Sequence, residues 1–260
     1  MNDAEDRWFG GFRGALGFLT VAGGAAAPVP AATAWFPLVG LLVGCTIGVV
    51  WWAAALAFPP AVAAGVVVAA DLALTGMLHL DGLADSADGL LPPLPRDRRL
   101  AIMRSPEVGA FGVAAVVTTL GLRWAALAAL VGPDGNVPAA QRVLLLGGLW
   151  AASRALMAGT LLLLPYARPQ GGLAARFRIG PDGPPVPGLA VVLPGVGLAA
   201  VACAIGLGAP GLVALGAGLL VAAGVVVLAV RRLGGFTGDV LGAAGLLCET
   251  AGLVVATAWR

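Results

Sequence analysis

Three aspartates and a histidine crowd into the stretch His79-Leu80-Asp81-Gly82-Leu83-Ala84-Asp85-Ser86-Ala87-Asp88-Gly89. His79 is the one histidine of the chain, and only 13 residues of the whole chain are acidic. A helix turns about 100° per residue, so Asp85 lies about 40° from Asp81, and Asp88 about 20° on the other side. The three carboxylates therefore share one helical face. Like charges at this spacing destabilise a helix by about 0.2–0.5 kcal/mol per pair, and more where little water screens them. A divalent cation removes that cost. Oxygen-only ligands favour magnesium or calcium over zinc, and magnesium commonly joins carboxylates to substrate phosphates. A solvated acidic helix end has the same spacing. His79 reads either as a general base or as a structural group at a helix end.

Arginines follow the acids in Pro95-Arg96-Asp97-Arg98-Arg99-Leu100-Ala101-Ile102-Met103-Arg104-Ser105-Pro106-Glu107-Val108-Gly109. The planar guanidinium fork matches phosphate oxygens. Carboxylates that hold magnesium, next to arginines, form the electrostatic clamp that phosphoryl-type transfer needs. The same arginines also act as topology signals, Arg98 and Arg99 foremost. Two further glycine-rich segments, Pro165-Tyr166-Ala167-Arg168 with Gly171-Gly172, and Gly234-Gly235-Phe236-Thr237-Gly238-Asp239, let backbone approach a ligand closely. A tight loop at a span end has the same composition.

The elements that must position these groups are membrane helices. The 260 residues are 60% hydrophobic and 11% charged, with mean hydropathy +0.97, against about 25% charged in soluble domains. The expected fold is all-α: a polytopic membrane bundle of about seven transmembrane helices plus an N-terminal interfacial helix within residues 9–27. Runs of about 20 apolar residues place the spans at Trp35–Ala57, Ala61–Leu80, Gly109–Val131, Arg142–Leu164, Gly188–Leu207, Gly211–Val230 and Val240–Ala258. Residues 1–34 form the N-terminal segment of a single membrane-embedded domain, and no internal repeat is evident. Met1–Arg7 carries Asp3, Glu5 and Asp6 and lacks the basic start of a signal peptide. Cys45, Cys203 and Cys248 lie far apart in apolar runs and read as small core residues. A net charge of +2 with no basic, aromatic-interleaved block excludes a nucleic-acid partner.

All 15 basic residues are arginine, and they orient the bundle. With seven spans, Arg7, Arg13, Arg96, Arg98, Arg99, Arg104, Arg168, Arg176, Arg178, Arg231 and Arg232 fall on one side, and only Arg142 and Arg260 on the other. The positive-inside rule puts the acidic face and its neighbouring loops in the cytoplasm, at a cell inner membrane. Arg123, Arg154, Asp71 and Glu249 fall inside spans, where ionisable groups need partners. Asp71 precedes Asp81 by ten residues, about 80° round an unbroken helix. It reads as a partner for a buried arginine, as an outer metal ligand, or as a helix–helix polar contact; Arg154 is its candidate partner.

Leu74-Thr75-Gly76-Met77-Leu78-His79-Leu80-Asp81-Gly82-Leu83-Ala84-Asp85-Ser86-Ala87-Asp88-Gly89 resembles the signature of the cobalamin synthase family, the adenosylcobinamide-GDP ribazoletransferases. Phe36-Pro37-Leu38-Val39-Gly40, Met103-Arg104 with Val108-Gly109-Ala110-Phe111-Gly112, Leu164-Pro165-Tyr166-Ala167-Arg168 and Thr237-Gly238-Asp239-Val240-Leu241-Gly242-Ala243 match in order, so the resemblance covers most of the chain. It implies a magnesium-dependent membrane transferase that joins adenosylcobinamide-GDP to α-ribazole, or its 5′-phosphate, and releases GMP. By the same resemblance Asp81, Asp85 and Asp88 are the metal and pyrophosphate site, and His79 or an aspartate takes the hydroxyl proton. The resemblance also implies Arg104 and Arg168 as phosphate contacts, and Arg154, Gly109 and Asp239 are further candidate substrate- or phosphate-binding residues. Where many family members have an acid after the Met-Arg pair, this chain has Ser105, then Pro106 and Glu107. A homo-oligomer, or association with other corrinoid-assembly enzymes, is compatible with the sequence.

Two other readings compete. A CDP-alcohol phosphotransferase would place Ala-Arg after Asp-Gly, and a prenyltransferase would carry a second aspartate-rich motif; this chain offers only Asp239 and Glu249 in its second half. A cation transporter would place its acids near the membrane midplane within repeats. The topology has its own test. A cysteine introduced at Asn136 should react with an impermeant thiol reagent in intact cells, and one at Arg96 should not. The opposite pattern would invert the orientation.

Overall fold

The computed structural model describes residues 3–24, 29–131, 138–168, 171–177 and 188–259. Asn136 and Arg178 lie outside the described residues. Among the described residues ten α-helices follow one another: α1 (Asp3–Leu19), α2 (Phe36–Ala57), α3 (Pro60–Leu74), α4 (Leu78–Leu90), α5 (Arg96–Ile102), α6 (Ala110–Val131), α7 (Ala139–Leu163), α8 (Gly188–Leu207), α9 (Ala209–Leu233) and α10 (Gly238–Ala256). Among the described residues there is no β-strand, only an isolated bridge pairing Tyr166 with Phe236. Among the described residues six helical stretches, those containing α2, α6, α7, α8, α9 and α10, are long and apolar enough to cross a membrane by themselves; the bent pair α3 and α4 adds a seventh only if the two are counted as one span. The protein is a polytopic helical bundle. The helix starts follow local chemistry: Pro60 sits in the first turn of α3, where its missing N–H costs nothing. α1 packs against the turn Pro30–Trp35, with Phe12 edge-on to Trp35 at 5.5 Å.

The second span departs from expectation. Instead of one helix over Ala61–Leu80, α3 ends at Leu74 and α4 leaves it at 89°. Gly76 and Met77 both adopt left-handed backbone, with φ of 61° and 60°, which stops the helical ladder. Glycine takes that conformation freely, and a Cβ on Gly76 would lie 2.9 Å from Val21. α4 is therefore not a straight continuation of α3. It lies outside the six stretches that are long and apolar enough to cross a membrane by themselves, and it packs on α10 and α6. The angle drawn between Asp71 and Asp81 on one unbroken helix does not apply.

The spanning helices meet around four buried charges. Arg123 on α6 pairs with Asp71 on α3, and with Glu249 on α10 at 2.7 Å. Arg154 on α7 pairs with Glu249 at 2.5 Å. The expected partnership of Asp71 with Arg154 is thus corrected: Asp71 takes Arg123, and Arg154 takes Glu249. Trp150 and Ser153 of α7 and Thr250 of α10 complete the hydrogen bonds. Each of the four ionisable residues is at least 95% buried, so the pairing is obligatory.

The opposite way of using arginine appears at the end of the bundle. Arg99 donates to the carbonyls of Gly89 and Leu90 at 2.8 Å each, and Arg232 donates to Leu90. Arg96 donates to Leu233, the last residue of α9, at 2.7 Å. These cations sit at the negative ends of helix dipoles and satisfy otherwise unpaired carbonyls. Arg99, read from sequence as a topology signal, is buried and clamps α4 in place.

Glu249→Gln leaves two buried guanidiniums with one carboxylate between them. It should cost about 3–5 kcal/mol of stability, read as a large drop in melting temperature of the detergent-solubilised protein. An unchanged melting temperature would remove the network from the folding account.

Candidate active site

α4 and α10 approach almost backbone to backbone. A Cβ on Gly82 would lie 2.7 Å from the Asp239 carbonyl oxygen, so only glycine fits there. That contact brings His79 and Asp81 of α4 beside Asp239 of α10. A second device brings Arg168. The amide of Ala167 donates to Phe236 at 2.8 Å, and that of Phe236 to Pro165 at 3.0 Å, which ties the loop after α7 to the loop before α10. Thr237 caps α10 by accepting from the Val240 amide at 3.3 Å. Arg168 then donates to Asp239 at 2.5 Å and to the Met103 carbonyl at 3.0 Å.

These groups line one cavity of ≈ 120 Å³, walled by His79, Asp81, Tyr166, Arg168 and Asp239 with Phe18 and Met157 among its apolar surfaces. Its volume is below the roughly 300–1,000 Å³ of pockets that swallow a whole drug-sized ligand. It has room for a phosphoryl group, while a nucleotide or a macrocycle would extend outside it. Two buried nitrogens of its wall residues, His79 Nε2 and Arg168 Nε, have no hydrogen-bond partner among the described residues. Buried polar atoms of this kind are costly unless something pairs with them.

The three aspartates of α4 do not behave alike. Asp81 is exposed at the cavity. Asp85, one turn along, is half-buried, and its carboxyl is pushed up to about 7: burial is the main cause, followed by the negative charges of Asp239 and Asp81. Asp88 turns away. Its carboxylate accepts from the amides of Gly109 at 2.7 Å and Gly112 at 2.9 Å, capping the N-terminus of α6. Asp239 takes the place in the acidic group that the helical wheel gave to Asp88.

Other residues singled out by sequence separate in the same way. His79 and Arg154 are neighbours, Nδ1 to Nη2 at 3.4 Å, but Arg154 is 1% exposed, ion-paired to Glu249, and lies behind the cavity rather than in its wall. Arg104 is exposed on the turn after α5, and Gly109 contributes its amide to Asp88. Glu107 is exposed; its amide donates to Ser105 Oγ at 3.2 Å. Sequence reading missed Tyr166 as a wall of the cavity and the pairing of Arg168 with Asp239. The glycine-rich loops flanking both residues were the available signal.

The acidic group suits a hard cation in chemistry, since all its donors are oxygens and Asp81 and Asp85 have no ion-pair partner within 4.0 Å among the described residues. Among those residues no three His, Cys, Asp or Glu side chains converge into a ready-made metal cage. Magnesium needs no such cage, because it takes one or two carboxylates and completes its shell with water and phosphate.

The profile of the family described as Cobalamin-5-phosphate synthase matches residues 11–257. A protein of Leptothrix cholodnii named adenosylcobinamide-GDP ribazoletransferase is 42% identical over 227 residues, covering 83% of this chain and 80% of the relative. Proteins of the same name from Bradyrhizobium diazoefficiens and Brucella canis are 38% and 40% identical, covering 88% and 85% of this chain and 84% of each relative. No solved structure matches.

The raised Asp85 carboxyl has a signed consequence. A carboxyl that holds its proton more tightly when folded contributes a penalty that is absent below its ordinary value of 3.8 and complete above about 7. Asp85→Asn should therefore raise the melting temperature of the metal-free protein at about pH 8, and raise it less at about pH 5. Equal shifts at both would show that the Asp85 carboxyl is not raised by folding.

Proposed function

The chain belongs to the cobalamin-5-phosphate synthase family of transferases in cobalamin biosynthesis, and we propose that it joins adenosylcobinamide-GDP to α-ribazole or its 5′-phosphate with release of GMP, using magnesium. The observation that carries this reading is a small cavity that combines the carboxylates of Asp81 and Asp239 with buried nitrogens that have no partner among the described residues. A pyrophosphate needs both: donors for its oxygens and a cation to offset its charge.

In this reading a ribose hydroxyl of the ribazole attacks the phosphorus nearer the cobinamide. The new P–O bond forms as the bond to the bridging oxygen breaks, and GMP leaves with the other phosphate. Arg168 is anchored by Asp239 and Met103, so its guanidinium is held at the cavity for a phosphate oxygen at little entropic cost. Asp81 and Asp85, with Asp239 opposite, would hold the metal; bound there, magnesium neutralises the phosphate oxygens and stabilises the departing GMP. Asp88 supports this group from behind, since capping α6 fixes the far end of α4. The apolar Phe18 and Met157 limit water at the reacting phosphorus. The cavity volume supports a substrate whose nucleotide and corrinoid lie outside, with only the phosphates inside. The arginine distribution supports a site that opens to the cytoplasm from the inner membrane.

Purified protein in liposomes, supplied with adenosylcobinamide-GDP, α-ribazole 5′-phosphate and magnesium, should release GMP. Asp81→Asn should lower kcat by about 10²-fold or more at any magnesium level. Arg168→Ala should raise KM for adenosylcobinamide-GDP with the protein still inserted. Cation flux through the liposomes without GMP release would overturn the transferase reading.

A further inference from the structure

His79 is the residue of the cavity whose role the sequence left between base and bystander. It is 4% exposed and lines the cavity wall, yet it is not a filler of apolar space. Its two ring nitrogens face different environments. Nδ1 meets Nη2 of Arg154 at 3.4 Å, while Nε2 has no partner among the described residues. Arginine carries only donors. A proton on Nδ1 would point at a donor-only cation, so Nδ1 must be the acceptor and the ring proton must sit on Nε2.

Arg154 is itself fixed. Its Nη1 donates to Glu249 at 2.5 Å and to Ser153 at 2.6 Å, and Glu249 is shared with Arg123, which also binds Asp71. The charge network at the bundle centre thus reaches the cavity through one side chain and sets its tautomer. Gly242 of α10 packs on the His79 backbone, where a Cβ would lie 3.0 Å from the His79 Cα, so the ring has a fixed base to swing from.

We propose that His79 is a neutral hydrogen-bond donor, its Nε2–H held towards a phosphoryl oxygen of the substrate by Arg154, and not the general base of the reaction. With Nε2 already protonated and Nδ1 engaged, the ring has no lone pair to offer the attacking hydroxyl. That proton goes to a carboxylate of the Asp81, Asp85 and Asp239 group. His79 and Arg168 then form a pair of N–H donors on the same phosphate, the neutral one stabilising charge as it develops on the oxygens. The assignment rests on the phosphate-transfer reading for the identity of its acceptor; the tautomer does not.

The chain has one histidine, so its imidazole nitrogens can be observed without ambiguity by nitrogen NMR of protein labelled with ¹⁵N-histidine. The resting protein at neutral pH should show Nε2 protonated and Nδ1 unprotonated. Inorganic pyrophosphate with magnesium should move the Nε2-bound proton downfield. An Nδ1–H tautomer or an imidazolium would overturn the proposal, and so would an Nε2–H signal that pyrophosphate at saturation leaves in place. Kinetics give a second readout. The amide nitrogen of glutamine can stand where Nε2 stands, and that of asparagine where Nδ1 stands. His79→Gln should recover at least about tenfold in kcat over His79→Ala and His79→Asn, which should lose about 10²–10³-fold. Glutamine no better than alanine, in variants with wild-type melting temperatures, would return the role of base to His79. Failure of the ribazoletransferase reading is distinguishable. It would appear as no GMP release from a protein whose histidine still shows the Nε2–H signal and its response to pyrophosphate.

Discussion

Arg123, Arg154, Asp71 and Glu249 meet in the interior of the bundle, where a guanidinium or carboxylate left without a partner would be prohibitively costly. That requirement fixes the relative depth and rotation of α3, α6, α7 and α10 more tightly than apolar contact can. Lipid tails compete with leucine for leucine, whereas nothing in a bilayer competes for a buried ion pair. The two positive and two negative charges balance, so the cluster needs no counter-ion from outside. It also has a direction. Arg154 reaches past Glu249 to His79, and through it the ion cluster touches the cavity wall.

The cavity depends on α4, a helix that the chain turns sharply aside from α3. α4 could line the end of the bundle only because the chain turns by 89° at Gly76 and Met77. It stays there because its far end is held from three sides: Asp88 caps α6, and Arg99 and Arg232 take the last carbonyls. Between these anchors, Gly82 lets α4 touch the first turn of α10. The outcome is a surface in which Asp81, Asp85 and Asp239 come from two helices, where the acids of one helix alone had been expected. Arg168 arrives from a third element. Chemistry that needs a phosphate held by donors on one side and a cation on the other is served here by groups converging from separate backbones, because α4 carries acids but no arginine.

Much of this was legible in the sequence. Apolar runs of membrane length located α2, α6, α7, α8, α9 and α10 to within a turn, because the bilayer imposes a length that composition alone reports. Clustering of arginine on alternate loops gathered the acidic stretch, the Arg168 segment and the Asp239 segment at one end, and these are the segments that build the cavity. The motif around Asp81 carried the family. The turn in the second span was not legible, since Thr75-Gly76 within an apolar stretch is compatible with a continuing helix. Nor was the function of Arg99, whose charge looks the same whether it faces lipid headgroups or caps a helix.

Sequence by itself determined what is set by composition and periodicity: a membrane bundle, most of its spans and the end that carries the charged groups; its motifs, by resemblance, carried the family. Only the tertiary structure decided partners. Asp71 chose Arg123 over Arg154, Asp88 left the acidic face for the amides of Gly109 and Gly112, and Asp239 joined Asp81 and Asp85. Pairing is decided by distance between helices, and residues 52 positions apart, as Asp71 and Arg123 are, meet only once the packing of the whole bundle has fixed that distance.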